Sequence, residues 1–328
     1  MSDRSTQMRQ WLDRLGYRDY TLSAASEDAS FRSYLRLQTS TGSLIVMDAP
    51  PQRESCDSFV SIAQKLRAAG LNAPQIFAQD FDSGFLLLSD FGSEDYLSRL
   101  DADSRDRLYA DALDALLMMQ TRIDSAGLPL YDEPLLHQEM DLFHDWFLGR
   151  LLGLGLDAAQ QRTWRDCKHK LAKNALAQPQ VFVHRDYHSR NLMTLAADNP
   201  GILDFQDAVR GPVTYDLVSL LRDCYIAWPA AQVESLALEY FERARDRDLV
   251  RDDAVQFLHW FNLMGIQRHL KAIGIFSRLK LRDGKDGFIR DIPRTLGYLR
   301  EVSAAEPSMA GLSELVEALA LEARMAAS

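Results

Sequence analysis

The hydrophobic pattern of the sequence changes near residue 91, and this change limits the folds that the chain can adopt. Before it, short apolar runs bounded by turn residues predict strands at 32–38, 44–47, 75–78 and 85–88. After it, apolar residues recur at helical spacing, except in one strand-rich island at 181–205. The pattern therefore predicts an α+β fold with a small strand-rich lobe at 1–91 and a larger, mainly helical lobe at 92–328.

The helical pattern predicts nine helices. In the first, Met8, Trp11, Leu12 and Leu15 share one face, and Gly16 is a suitable C-cap. The others cover about 54–69, 105–123, 136–152, 157–177, 215–228, 231–245, 252–275 and 312–325.

The composition excludes several classes of protein. Of the 328 residues, 47% are hydrophobic and 26% are charged, which is ordinary for a globular protein and excludes a disordered chain. The net charge of −10 argues against a nucleic-acid partner, because phosphate contacts require a basic surface.

The sequence also predicts where the protein is located. Its longest apolar runs are only a few residues, and its first sixteen residues lack an apolar signal core, so we expect neither a membrane segment nor a signal peptide. The 3 cysteines, at 56, 167 and 224, are far apart, which argues against a disulfide framework or a zinc site. We therefore predict a cytoplasmic protein.

The strand-rich island carries the residues best suited to chemistry. A strand ending at Val183 is followed by His184-x-Asp186-x-x-x-x-Asn191, and Asp204-Phe205 follows 18 residues after Asp186. Apolar runs at 192–195 and 202–205, with turn residues between them, predict a hairpin. Pairing residue i with a residue near 396 − i would place Asn191 close to Asp204.

This spacing is suited to magnesium-dependent phosphoryl transfer. Asn191 and Asp204 offer the oxygen ligands that Mg²⁺ prefers. Asp186 is a separate carboxylate that can orient an attacking hydroxyl and accept its proton. Each motif alone is common by chance, but the strand, the loop, the hairpin and the Asp-Phe pair together are specific to this chemistry.

The loop resembles that of the aminoglycoside phosphotransferase and choline kinase family, which has a protein-kinase-like two-lobe fold. The family's loop reads His-x-Asp-x-His-x-x-Asn, and His184, Asp186, His188 and Asn191 match it. The resemblance covers about 26–299. It implies that Asp186 is the catalytic base, that Asn191 and Asp204 bind magnesium, and that ATP and Mg²⁺ are required.

Longer segments resemble a subgroup, the bacterial kinases that phosphorylate the anomeric hydroxyl of N-acetylmuramate and N-acetylglucosamine. The matching segments are DASFRSYLR, LIVMDAPP, DFQDAVRGPVTYDLVSLLRDCY and QRHLKAIGIFSRLKLRDGK. This likeness implies a sugar 1-kinase of peptidoglycan recycling towards UDP-N-acetylmuramate. Two alternatives stay open: a kinase for an aminoglycoside or amino alcohol, and a nucleotide-binding pseudokinase without turnover.

The nucleotide site departs from the kinase pattern. No Lys follows the strand ending at Met47, and 26–33 contains no Gly, so the usual phosphate-binding Lys and Gly-rich loop are missing. A cation is still needed near the phosphates, and Arg32 is the candidate, assisted by the backbone of Ser30 and Phe31. The alternative for Arg32 is an exposed strand residue. By resemblance, the backbone at Leu88, Ser89 and Asp90 reads the adenine.

Candidate sugar contacts come from basic residues. The window 268–285 has six basic residues and one acid, which indicates an anion site, a solvated helix face or an internal partner for acidic residues. Arg268, Lys271 and Arg210 are the candidates for a sugar carboxylate, because Arg matches carboxylates with two hydrogen bonds. The alternative for Arg210 is a salt bridge with a nearby acid. His188 is expected either to contact the sugar or to brace the loop. By resemblance, Asp216 ties down the catalytic loop. The sequence leaves open the preferred sugar, the anomer and the oligomeric state.

Overall fold

The computed structural model describes residues 2–26 and 32–327. Residues 30 and 31, predicted to bind the nucleotide through their backbone, lie outside the described residues. The chain forms two compact units: Met1–Ala112 with Arg190–Asp207, and Leu113–Ser189 with Ala208–Ser328. The predicted lobe boundary at residue 91 stays a prediction.

A five-stranded antiparallel sheet is the centre of the first unit, with strand order β1-β2-β3-β5-β4. Its strands are β1 (Thr21–Ser26), β2 (Ser33–Thr39), β3 (Gly42–Asp48), β4 (Ile76–Asp80) and β5 (Phe85–Ser89). β2 to β5 confirm the predicted strands. β1 was not predicted, because TLSAAS lacks the apolar alternation that indicates a strand.

The helix α1 (Ser2–Arg14) packs against one face of this sheet. Met8, Trp11 and Leu12 of the predicted apolar face are buried with Val46 and Phe85. Leu15 was assigned to the same face, but it is 41% exposed because the helix ends one residue before it. The other helices that begin in this unit are α2 (Asp57–Ala68), α3 (Tyr96–Arg99) and α4 (Arg105–Arg122).

The predicted hairpin is present in the first unit, but its register was predicted wrongly. Its strands are only β7 (Leu192–Met193) and β8 (Gly201–Ile202), and Leu192 pairs with Ile202, two residues short of the expected partner. The difference arises because Asn199 accepts a hydrogen bond from the Leu195 N–H at 2.9 Å, which closes a longer loop. Backbone bonds from Thr194 to Glu94 and from Ile202 to Asn72 anchor this hairpin within the unit.

The second unit is mainly helical, which together with the sheet confirms the α+β class. Its helices are α5 (Glu133–Leu142), a π-helical run (Phe143–Leu151), α6 (Ala158–Ala177), α7 (Tyr215–Leu221), α8 (Ala230–Arg245), α9 (Ala254–Asp283), α10 (Ile292–Ala305), α11 (Ala310–Ala318) and α12 (Leu321–Ala327). A two-stranded sheet joins β6 (Gln180–Val183) to β9 (Val209–Pro212). Within residues 2–26 and 32–327, none of the helices combines the length and apolar character that crossing a membrane requires.

Two predicted helices of this unit differ in the structure, one in its end and the other in its continuity. α7 stops at Leu221 rather than near 228, because the Asp223 carboxylate accepts the N–H groups of Ser189 and Tyr225 and turns the chain. The run predicted at 312–325 is two helices, α11 and α12, because Ala320 between them has a φ of 47°. This left-handed conformation lies outside the right-handed helical region and interrupts the helix.

The long helix α9 extends beyond the predicted end at 275 and carries most of the basic window. Its first basic residues, Arg268 and Lys271, are buried, whereas Arg282 near its end is exposed. Gly274 allows the helix to approach the end of α5, since a Cβ there would lie 2.3 Å from the carbonyl carbon of Leu142. One basic segment therefore has two environments, which the charge pattern could not distinguish.

Candidate active site

A cavity of about 350 Å³ opens in the first unit, between the sheet and the hairpin of that unit. Leu88, Ser89 and Asp90, predicted to face the adenine, all line it. Asn191 and Asp204, predicted to bind magnesium, line the same cavity. The rest of its wall is mostly apolar and includes Ala25, Ile45, Phe59, Phe91, Met193 and Leu203. An apolar cavity with a few convergent polar groups is typical of a small-molecule site.

Asp90 fixes the backbone at the edge of this cavity. Its carboxylate accepts the Arg36 Nε–H at 2.6 Å and the Gly92 N–H at 2.9 Å. Although burial raises the pKa of Asp90, the hydrogen bond from Arg36 and those from neighbouring groups lower it overall. The Asp90 side chain therefore holds the turn after β5. Contact between the Asp90 backbone and the nucleotide stays a prediction.

Asn191 and Asp204 lie together at the open end of the hairpin, as predicted. The Asn191 Nδ2 lies 3.4 Å from the Asp204 Oδ2, and the Gln206 Nε2 donates to the Asp204 Oδ1 at 2.8 Å. Asp204 has a φ of 63°, a left-handed conformation that is uncommon outside Gly and turns its carboxylate away from regular strand geometry. Both residues line the cavity, and a carboxylate with a side-chain amide can offer the hard oxygen donors that Mg²⁺ requires.

Arg32, the predicted phosphate-binding cation, forms an ion pair with Glu54, which precedes α2. Its Nε lies 2.7 Å from the Glu54 Oε2, and only 9% of its side chain is exposed. Arg32 is therefore not an exposed strand residue. Met47, which occupies the usual Lys position by resemblance, is fully buried. Protein kinases pair a Lys with a Glu at their phosphate site, and Arg32 with Glu54 has the same combination of charges. The phosphate-binding role of Arg32 stays a prediction.

In the second unit, buried polar groups hold the loop that carries Asp186. Asp216 on α7 is fully buried and accepts the N–H groups of His184 at 2.6 Å and Arg185 at 3.0 Å. Burial raises the pKa of Asp216 to about 7, against the opposing effect of these two hydrogen bonds. The position of Asp216 agrees with the loop-tying role that the sequence suggested.

Arg185, immediately before Asp186, is held through both its side chain and its backbone. Its φ of 78° is uncommon for a residue with a side chain. Its guanidinium donates to the Glu139 carboxylate at 2.5 Å, and its carbonyl accepts from Arg268 at 3.4 Å. These contacts stabilise a backbone conformation that costs free energy by itself. They also fix the backbone immediately before Asp186.

Glu139 is the centre of a buried charge cluster. Besides Arg185, it pairs with Lys271, whose Nζ lies 3.2 Å away and also donates to the Tyr215 hydroxyl at 2.9 Å. Although burial raises the pKa of Glu139, the charge of Lys271 and the other positive groups around it lower it overall. Arg268 and Lys271 are thus engaged inside the unit, and their predicted contact with the sugar stays a prediction.

The same positive charges act on Asp186, which is half-buried. Burial would raise its pKa, but the charges of Lys271, His188, Arg268 and Arg185 lower it below the usual 3.8. Asp186 is therefore ionised at neutral pH. A carboxylate in this state can accept a proton, as the proposed base requires.

The remaining predicted sugar contacts, His188 and Arg210, lie in different surroundings. The His188 ring packs edge-on against Tyr225 with ring centres 5.2 Å apart, which agrees with bracing. Arg210 lies in β9 with its backbone hydrogen-bonded to Pro129 and Tyr131, and this residue is exposed. Contact of either residue with the sugar stays a prediction.

The structure brings some predicted site residues together and assigns others to separate units. Leu88, Ser89, Asp90, Asn191 and Asp204 share the cavity of the first unit. Asp186 belongs to the second unit, since the division falls between residues 189 and 190. The meeting of Asp186 with the metal ligands stays a prediction.

Sequence reasoning missed two acids that hold candidate site residues, Glu54 and Glu139. Glu54 precedes α2 and gives no signal except its charge. Glu139 lies near Leu136 and Met140 on a face that the periodicity marks as buried, which could have indicated an internal partner.

Comparisons with known proteins identify the family. Residues 21–252 match the model of the phosphotransferase enzyme family. The chain is 48% identical to the N-acetylmuramate/N-acetylglucosamine kinase of Pseudomonas putida over 93% of this chain and 90% of that protein. It is 41% identical to the protein of the same name from Neisseria meningitidis over 95% of both chains.

Solved structures of low sequence identity share the fold. The choline kinase LicA from Streptococcus pneumoniae aligns with a TM-score of 0.63 at 13% identity, covering 90% of this chain and 99% of that one. The ADP-bound aminoglycoside phosphotransferase APH(2'')-Ib aligns with a TM-score of 0.59 at 13% identity, covering 90% and 97%. The predicted kinase-like fold and family resemblance are confirmed, and the chain belongs to the phosphotransferase enzyme family.

Proposed function

We propose that this protein is an ATP-dependent kinase that phosphorylates the anomeric hydroxyl of N-acetylmuramate and N-acetylglucosamine. The observation that carries the proposal is the 48% identity, over 93% of the chain, to a kinase named for these two sugars. The reaction would serve peptidoglycan recycling towards UDP-N-acetylmuramate. Because ATP is the phosphoryl donor, we place the reaction in the cytoplasm.

We propose that ATP binds in the cavity of the first unit. Its apolar wall suits the adenine, next to the backbone of Leu88, Ser89 and Asp90. Arg32 is the proposed phosphate cation. Its partner Glu54 keeps the guanidinium in one orientation, as the paired acid does for the kinase Lys.

Asn191 and Asp204 would hold Mg²⁺, which when bound offsets the charge of the phosphates. Asp186 is the proposed base, and it accepts the proton of the sugar hydroxyl as the oxygen attacks the γ-phosphorus. An anomeric hydroxyl is more acidic than an ordinary alcohol, so a carboxylate of lowered pKa is sufficient for this step.

ADP formation with a panel of acceptors tests the proposal. With ATP and Mg²⁺, we expect turnover of N-acetylmuramate and N-acetylglucosamine, and none of their 1-O-methyl glycosides, which lack the anomeric hydroxyl. Turnover of choline, ethanolamine or an aminoglycoside in place of the sugars would overturn the choice of acceptor. ATP binding with no turnover of any acceptor would favour a pseudokinase.

Lys271→Met is expected to move the acid limb of the kcat/KM profile to higher pH. Among the charges that lower the pKa of Asp186, that of Lys271 has the largest effect, so its loss raises that pKa. The base must be ionised, so a higher pKa removes activity at acid pH and leaves it intact at neutral pH. The measurement is kcat/KM against pH for the variant and the wild type.

The matched control for this prediction is Lys280→Met, which removes a half-buried Lys from the same helix. Its profile should follow that of the wild type. If Lys271 binds the sugar instead, Lys271→Met will raise KM at every pH without moving the limb, and the charge-based account of Asp186 will be wrong.

A further inference from the structure

A cluster of two histidines and one glutamate lies on α5 and α6, apart from the residues to which we assign roles in phosphoryl transfer. Glu133 and His137 are one turn apart on α5, and His169 extends from α6. Their ligand atoms, one from each side chain, all lie within 4.8 Å of one another. Glu133 and His169 are exposed and His137 is half-buried, so an ion can reach all three.

The distances suit a metal ion better than hydrogen bonds. The His137 Nε2 and the His169 Nδ1 each lie 3.6 Å from the same oxygen, the Glu133 Oε1. This separation is too long for a hydrogen bond. It is close to the spacing of about 3.4 Å between ligands that bind a tetrahedral ion at about 2.1 Å. The third pair, His137 with His169, lies within 4.8 Å, so the site would be completed by rotation of the side chains.

The three side chains extend from helices that other contacts already hold in place. Asp132 caps α5 and accepts the Leu135 N–H at 3.0 Å, which fixes the first turn where Glu133 lies. Lys168, the neighbour of His169, pairs with Asp141 across the same two helices. The two sides of the cluster are therefore already joined, and binding would not require the helices to come together.

We propose that Glu133, His137 and His169 form a binding site for a divalent transition-metal ion of the zinc type, with a fourth position open to water. Two imidazoles and one carboxylate are ligands that Zn²⁺ accepts, whereas Mg²⁺ prefers oxygen alone. The bound ion would cross-link α5 and α6. This site is independent of the proposed sugar kinase reaction.

Titration of the untagged, EDTA-treated full chain with ZnCl₂ tests the proposal, read by calorimetry and by the thermal unfolding temperature. We expect one Zn²⁺ per chain and a rise in the unfolding temperature. His137→Gln, His169→Gln and Glu133→Gln should each weaken binding at least tenfold and abolish that rise. His144→Gln is the matched control, because His144 is a half-buried histidine, like His137, and lies 2.8 Å from the Asp145 carboxylate, where the described residues form no three-ligand group.

The proposal is overturned by either of two results. One is the absence of Zn²⁺ binding to the wild type. The other is Zn²⁺ binding that does not depend specifically on the three ligands. In that case the ligand variants would bind as the wild type does, or His144→Gln would weaken binding as much as they do, and the ion would bind elsewhere. Kinase activity of Glu133→Gln without zinc should equal that of the wild type, so failure of the metal site and failure of the proposed reaction are separable.

Discussion

Asp186→Asn is expected to lower kcat about 10²- to 10⁴-fold, the usual contribution of a general base. The amide has nearly the size of the carboxylate and still accepts hydrogen bonds, but it does not accept the proton of the sugar hydroxyl. ATP affinity should change little, because the described residues that line the proposed ATP cavity do not include Asp186. The measurement is kcat from ADP formation together with calorimetric ATP binding.

The control for Asp186→Asn is Asp166→Asn, which makes the same change of charge at an exposed residue of the second unit. Asp166 pairs only with the exposed Lys170 in the described contacts, so kcat should stay at the wild-type value. A folded Asp186→Asn variant with kcat within a factor of three of the wild type would show that Asp186 is not the base.

Asp204→Asn is the second substitution for which we expect a large effect: a loss of about 10²-fold or more in kcat and a higher Mg²⁺ requirement. Removing the charge weakens the proposed magnesium site, and charge stabilisation of this kind is often the largest contribution to catalysis. Asn tolerates the left-handed backbone at this position, so the fold should survive. The measurement is the rate as a function of Mg²⁺ concentration.

Asp95→Asn is the matched control for this experiment. Asp95 also lines the cavity, and it caps α3 by accepting the Ser98 N–H at 2.8 Å. Asn is an equally good N-cap, so the variant removes one negative charge from the cavity without a cost in stability. If both variants require the same Mg²⁺ concentration as the wild type, Asp204 is not a magnesium ligand.

The parts of the site that the sequence could predict depend on local spacing. Asn191 and Asp204 are 13 residues apart on the two arms of one hairpin, so turn residues and apolar runs were sufficient to predict their meeting. The register was less predictable, because it depends on the Asn199 side chain accepting a backbone N–H inside the turn. Composition marks a turn but does not specify such a bond.

The buried charge cluster could not be predicted, because its members are distant in sequence. Lys271 and Glu139 are separated by 132 residues, and helical periodicity indicates which residues share a face but not which helix covers it. The basic window therefore left open an anion site, a solvated face and an internal partner for acidic residues. Only the packing of α9 in the second unit reveals that Lys271 already has two internal partners, Glu139 and Tyr215.

The position of the transferred phosphate tests the central proposal most directly. N-acetylmuramate labelled with ¹³C at C1 is incubated with the protein, ATP and Mg²⁺, and the product is examined by ³¹P NMR. We predict a sugar phosphate whose phosphorus is coupled to the labelled C1, which is the signature of phosphorylation at the anomeric oxygen. A phosphate without coupling to C1, or ADP formation without any sugar phosphate, would contradict the account.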